Sequence, residues 1–117
     1  MKQAYLDAFS GLSGDMLVGA LIDCGADFNE FERAIGSIAL SGYRLSSKLK
    51  VVSGISAVKF DVEVLEQQPE RHLGEITKMI AGAAALADPV KRRAIAIFEV
   101  LAEAEAKIHH TTPEHVH

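Results

Sequence analysis

The sequence predicts an α+β fold: a small three-stranded sheet in β-α-α-β-β-α-α order with helices packed on one face, a ferredoxin-like variant being within reach. Three observations predict it. Apolar residues recur every second position around Ser53-Gly54, recur at three and four in the segments that follow glycine and proline breaks, and are preceded by a short apolar opening at residues 3–8.

Residues 3–8 read as the first strand. Residues 15–24 then form a helix that is apolar almost all round (Met16, Leu17, Val18, Ala20, Leu21, Ile22), the signature of a buried helix, with Gly25 as its stop. Cys24 lies in that run and reads as a core thiol; as the sole cysteine it has no disulfide partner within the chain. A second helix follows Asp27, its Phe28, Phe31, Ile35 and Ile38 defining one face. Ser41-Gly42 breaks it, and the period changes to two. Tyr43, Leu45, Leu49 and Val51 alternate with Arg44, Ser46, Lys48 and Lys50; beyond the Ser53-Gly54 turn, Val58, Phe60, Val62 and Val64 alternate with Lys59, Asp61 and Glu63. That is an antiparallel hairpin with one wet face. Residues 66–71 are a loop, a short helix spans about 73–84, and Asp88-Pro89 starts a long helix that runs through residue 108.

At 117 residues the chain is one domain by size, 1–117. A hydrophobic fraction of 49% and a charged fraction of 24% suit a core and a soluble surface. Net charge of −4 argues against nucleic acid or an anionic membrane as partner. The start carries no signal-peptide pattern, and the longest apolar run is too short to span a bilayer, so a cytoplasmic protein is expected.

The segment Asp7-Ala-Phe-Ser-Gly-Leu-Ser-Gly-Asp-Met16 is where chemistry concentrates. Placed between a strand and a helix N-terminus, Ser10, Gly11, Ser13 and Gly14 offer hydroxyls and amides to an anion, which the unpaired first N–H groups and the positive dipole end favour. Asp7 and Asp15 flank the loop and can orient it or hold a divalent cation. The same residues also make an ordinary strand-to-helix turn with Ser13 or Asp15 as cap. The pattern is neither a P-loop nor a dinucleotide fingerprint. Arg44, Lys48, Lys50 and Lys59 form a basic strand face, suited to a phosphorylated ligand or simply to a solvated sheet surface. His109, His110, His115 and His117 cluster at the C-terminus. In an extended segment His115 and His117 project from one side, where imidazoles can take nickel, copper or zinc. No nucleophile–base pair can be assembled from the sequence.

Residues 7–16 resemble the opening signature of the LarC family of nickel insertion proteins. Gly42-Tyr43, the segment Ser53 to Val62, Arg71-His-Leu73, the segment Leu101 to Lys107 and Pro113-Glu-His-Val-His117 follow in the order that family shows. Glu66-Gln-Gln-Pro-Glu70 stands where many relatives carry a histidine tract, leaving His72 there as a helix-start residue. The resemblance implies an N-terminal fragment of a longer protein whose C-terminal nucleotide-binding domain is not included. It also implies the activity of the whole: CTP-dependent insertion of nickel, with a divalent cation (Mn or Mg), into pyridinium-3,5-bisthiocarboxylic acid mononucleotide. The product is the nickel-pincer nucleotide of lactate racemase, which makes the enzyme a nickel chelatase of the lyase class. The pincer precursor is then a partner, and a homo-oligomer is possible. The alternative is a non-catalytic nickel-binding or storage module, or an assembly module acting through the last long helix.

Overall fold

A computed structural model describes residues 1 and 3–116. The elements run α1 (Gly14–Asp23), α2 (Phe28–Gly36), β1 (Tyr43–Val52), β2 (Ile55–Val64), α3 (Leu73–Gly82) and α4 (Asp88–His109), followed by a 3-10 turn at Pro113–His115. The chain forms two compact units, one from Met1–Phe28 with Arg44–Glu63, the other from Asn29–Tyr43 with Val64–His117.

In the first unit β1 and β2 pair as a two-stranded sheet. Ser53 and Gly54 both take positive φ (51° and 80°), which is the type I′ geometry whose twist matches a tight hairpin. The turn sets the register that puts Arg44 beside Glu63, joined at 3.3 Å. Leu45 (8% exposed) and Phe60 (5%) form the buried part of the unit. With a two-residue turn, even-numbered residues of β2 direct their N–H and C=O away from β1. α1 sits at that edge: a Cβ added to Gly19 would lie 2.5 Å from the Val58 carbonyl oxygen and 3.4 Å from the Phe60 nitrogen. Only glycine permits this approach.

This docking explains two corrections. The expected third strand at residues 3–8 does not form, so the sheet has two strands among the described residues and the ferredoxin-like variant is not found. A strand needs a neighbour's hydrogen bonds, and α1 covers the open edge of β2; Tyr5 stays 90% exposed. Nor is α1 buried all round. It touches the hairpin along one line, buries Gly19 alone and leaves Met16 and Leu21 exposed. Its C-terminus closes with Gly25 N–H to Ile22 O (2.9 Å) and Ala26 N–H to Leu21 O (3.0 Å), the Schellman pairing. Cys24 is the C-cap there, exposed rather than a core thiol.

The second unit is helical. α3 packs against α4, and the 3-10 turn packs on both. Its buried residues are Ile80, Ala83, Ala102 and Ala106, small enough to let helix backbones approach closely. His72 precedes α3, where its backbone N–H donates to the Glu75 carboxylate (3.1 Å). Lys91 Nζ donates to Ala81 O (3.0 Å), a cation at the C-terminal end of α3. α4 begins at Asp88-Pro89 as the sequence predicts and ends with His110 in the left-handed region (φ 52°).

Candidate functional site

The loop ahead of α1 brings part of the predicted site together. Gly11 N–H donates to Ala8 O (3.0 Å), closing a turn over Phe9-Ser10, and Leu17 N–H donates to Ser13 O (3.0 Å), the first bond of the helix. The Ser13 hydroxyl donates to the Asp15 carboxylate. That carboxylate also accepts from the backbone N–H of Met16 and of Asp15 itself. The Ser13 contact and then the Met16 amide hold Asp15 below its ordinary pKa of 3.8, so it is ionised at neutral pH. The charge that the α1 dipole favours is therefore supplied by the protein's own Asp15. Asp7, Ser10, Gly11, Ser13 and Gly14 are all exposed, and of them only Ser13 is joined to Asp15 by a side-chain hydrogen bond among the described residues.

Asp15 also opens onto a groove of about 520 Å³ with Met16, Lys50, Val58, Lys59 and Phe60. Charges on the wet face of the hairpin largely neutralise one another. Arg44 pairs with Glu63, while Lys48 (3.7 Å) and Lys59 both pair with Asp61, whose pKa is lowered chiefly by Lys59. Lys50 has no carboxylate partner among the described residues. Of the four cations of the predicted basic face, Lys50 is thus the one without a carboxylate among the described residues, beside an apolar floor. In sequence only the residue types are visible: β1 carries cations alone (Arg44, Lys48, Lys50), and β2 carries Lys59 with Asp61 and Glu63.

At the other end of the chain, residues 113–115 form a 3-10 turn instead of the expected extended segment. Pro113 presets the first φ and His115 N–H donates to Thr112 O (3.0 Å), so the two-residue alternation of His115 and His117 does not apply. His117 lies outside the described residues. The Thr112 hydroxyl, ahead of Glu114's own backbone N–H, holds the Glu114 carboxyl below its ordinary pKa. The Thr112 hydroxyl oxygen and His115 Nδ1 are hydrogen-bonded at 2.8 Å, a contact that leaves Nε2 outside it. His115 lines a cavity of about 310 Å³ with Glu105 and His109, themselves paired at 3.2 Å. His109 belongs to the histidine cluster named from the sequence, whereas its pairing with Glu105 was not foreseen; their i,i+4 spacing on a helix was the available signal. His72 Nδ1–H donates to Val116 O (3.0 Å) and anchors the end of the segment. Among the described residues no three His, Cys, Asp or Glu side chains converge to hold a metal ion. Nor is any helix long and apolar enough to cross a membrane.

Fold and groove together define an α+β chain with a charged groove beside a hairpin edge. The family described as nickel insertion protein matches residues 4–117, and the chain belongs to it. The chain is 45% identical over its full length to a pyridinium-3,5-bisthiocarboxylic acid mononucleotide nickel insertion protein of Desulfitobacterium hafniense, covering 29% of that relative. Relatives of the same description from Geobacillus kaustophilus and Staphylococcus epidermidis are 44% and 39% identical, the chain covering 31% and 29% of them. The chain thus spans about three tenths of the length of the curated relatives it matches. No solved structure matches it.

Proposed function

We propose that residues 1–117 act as the N-terminal α+β domain of a nickel insertase working on pyridinium-3,5-bisthiocarboxylic acid mononucleotide, in the cytoplasm. The complete protein forms one carbon–nickel and two sulfur–nickel bonds in a CTP-dependent reaction with Mn or Mg, giving the cofactor of lactate racemase. It is thereby a lyase-class nickel chelatase, with nickel as substrate. The observation that carries this reading is the family match across residues 4–117, with relatives whose names state that substrate. The loop Ser10-Gly11-Leu12-Ser13-Gly14 then meets the precursor, and Asp7 and Asp15 orient it or share a divalent ion. An incoming anion at the α1 N-terminus exchanges with the Asp15 carboxylate, which swings toward metal or ring. His115 and His117 deliver nickel, His115 through Nε2. In the complete protein Asp15→Ala is expected to slow nickel insertion at least tenfold; a rate equal to the parent's removes Asp15 from the mechanism.

A second reading, an assembly role, is favoured by α4. Val90, Ile97, Leu101 and Ile108 are all exposed and, with Ala94 and Ala104, alternate at four and three. The stripe is nearly palindromic about Glu99: Val90 mirrors Ile108, Ala94 mirrors Ala104 and Ile97 mirrors Leu101. A second copy laid antiparallel across it meets matching side chains, as a two-fold interface requires. Sedimentation is expected to give a dimer for the parent chain and a monomer for Ile97→Glu; a monomeric parent rules this role out.

A further inference from the structure

We infer that Lys50 is the phosphate anchor of the first unit's groove and that the groove takes a pyridine mononucleotide, its ring on the apolar floor and its phosphate at Lys50 Nζ. The substrate class rests on the proposed function; the placement rests on the groove. Three independent features converge on it. The volume, about 520 Å³, suits one mononucleotide. Met16, Val52 and Ile55 line it and are exposed, an apolar surface that a planar ring would cover. The charges are sorted: Asp61 occupies Lys48 and Lys59, Glu63 occupies Arg44, and Lys50 has no carboxylate partner among the described residues, so its ammonium can meet an outside acceptor.

An ammonium is a point charge that holds a phosphate from any direction, and the phosphate is the most highly charged single group of such a ligand. Lys50 therefore selects the phosphate end of such a ligand. Asp15, ionised at neutral pH, lines the same groove and complements a cationic pyridinium ring rather than a second anion. Phosphate and ring then have separate counterparts in one groove.

The test is calorimetric binding of nicotinic acid mononucleotide and of its riboside, which lacks the phosphate, to the intact protein. The parent is expected to bind the mononucleotide at least tenfold tighter than the riboside. Lys50→Met should erase that margin, weakening the mononucleotide about tenfold and the riboside less than twofold. Lys50→Arg should restore most of it, and Lys78→Met, on a different unit, should leave both constants unchanged. Equal weakening of both ligands by Lys50→Met, or no weakening, overturns the inference, as does a parent that does not prefer the mononucleotide. Phosphate-dependent binding in a protein that inserts no nickel would sink the proposed function and leave this inference standing. Normal nickel insertion by Lys50→Met with unchanged binding would do the reverse.

Discussion

The two units of this chain are held together by opposite means. The helical unit has an interior of Ile80 and three alanines, Ala83, Ala102 and Ala106, so its order depends on several contacts spread along α3, its C-cap and α4. The hairpin unit buries Leu45 and Phe60 and depends on one close approach, Gly19 against the backbone of β2. Distributed packing tolerates single changes, while a point contact does not. The unit with the smaller core also carries the groove, Lys50, which has no carboxylate partner among the described residues, and the loop residues singled out by the sequence. A site with exposed apolar floor and polar walls is a poor contributor to stability, which fits its location on the less buried unit.

The sharpest way to break the contrast is Gly19→Val. Its Cβ has no room before the Val58 carbonyl, so α1 must leave the hairpin at a cost of at least about 2 kcal/mol. Hydrogen exchange should speed up in α1, β1 and β2 while α3 and α4 keep their protection. Ala106→Leu makes the corresponding intrusion in the helical unit. Overpacking there should cost about 1–3 kcal/mol in thermal unfolding, with protection lost from α3 and α4 instead. In the opposite direction, His110→Gly relieves a side chain held at φ 52° and should stabilise the end of α4 by up to about 1 kcal/mol.

The smallest effect is that of pH. The native pKa of Asp15 lies below its ordinary 3.8, so its contribution to α1 is present above that value and lost as pH falls through the lowered native pKa. Helix protection in α1 should therefore decline on acidification below about pH 4, and Asp15→Asn should flatten that dependence.

Elements with local signals were legible in the sequence. Alternation about Ser53-Gly54 predicted the hairpin found at Tyr43–Val52 and Ile55–Val64, and Asp88-Pro89 marked the start of α4. His72 stands at the start of α3 as expected. What failed depended on partners. Residues 3–8 have the composition of a strand but no neighbour to bond with, and α1 has the composition of a core helix but one contact line. Pro113 overrode the extended reading of the terminal histidines through local geometry that its fixed φ could have signalled. For the site, loop and basic face were visible as residue types. That Asp15 fills the helix end, and that Lys50 alone among the hairpin cations lacks a carboxylate among the described residues, follow from register and side-chain reach. Neither is written in the one-dimensional pattern.

The central claim is that the mononucleotide is held by the hairpin unit and not by the helical one. Amide chemical shifts of the intact protein, recorded as nicotinic acid mononucleotide is added, test it most directly. The account predicts shifts concentrated in residues 10–16 and 50–60, saturating together, with α3 and α4 unmoved. Saturable shifts centred on α3 or α4, or none in the hairpin unit at saturating ligand, would contradict it.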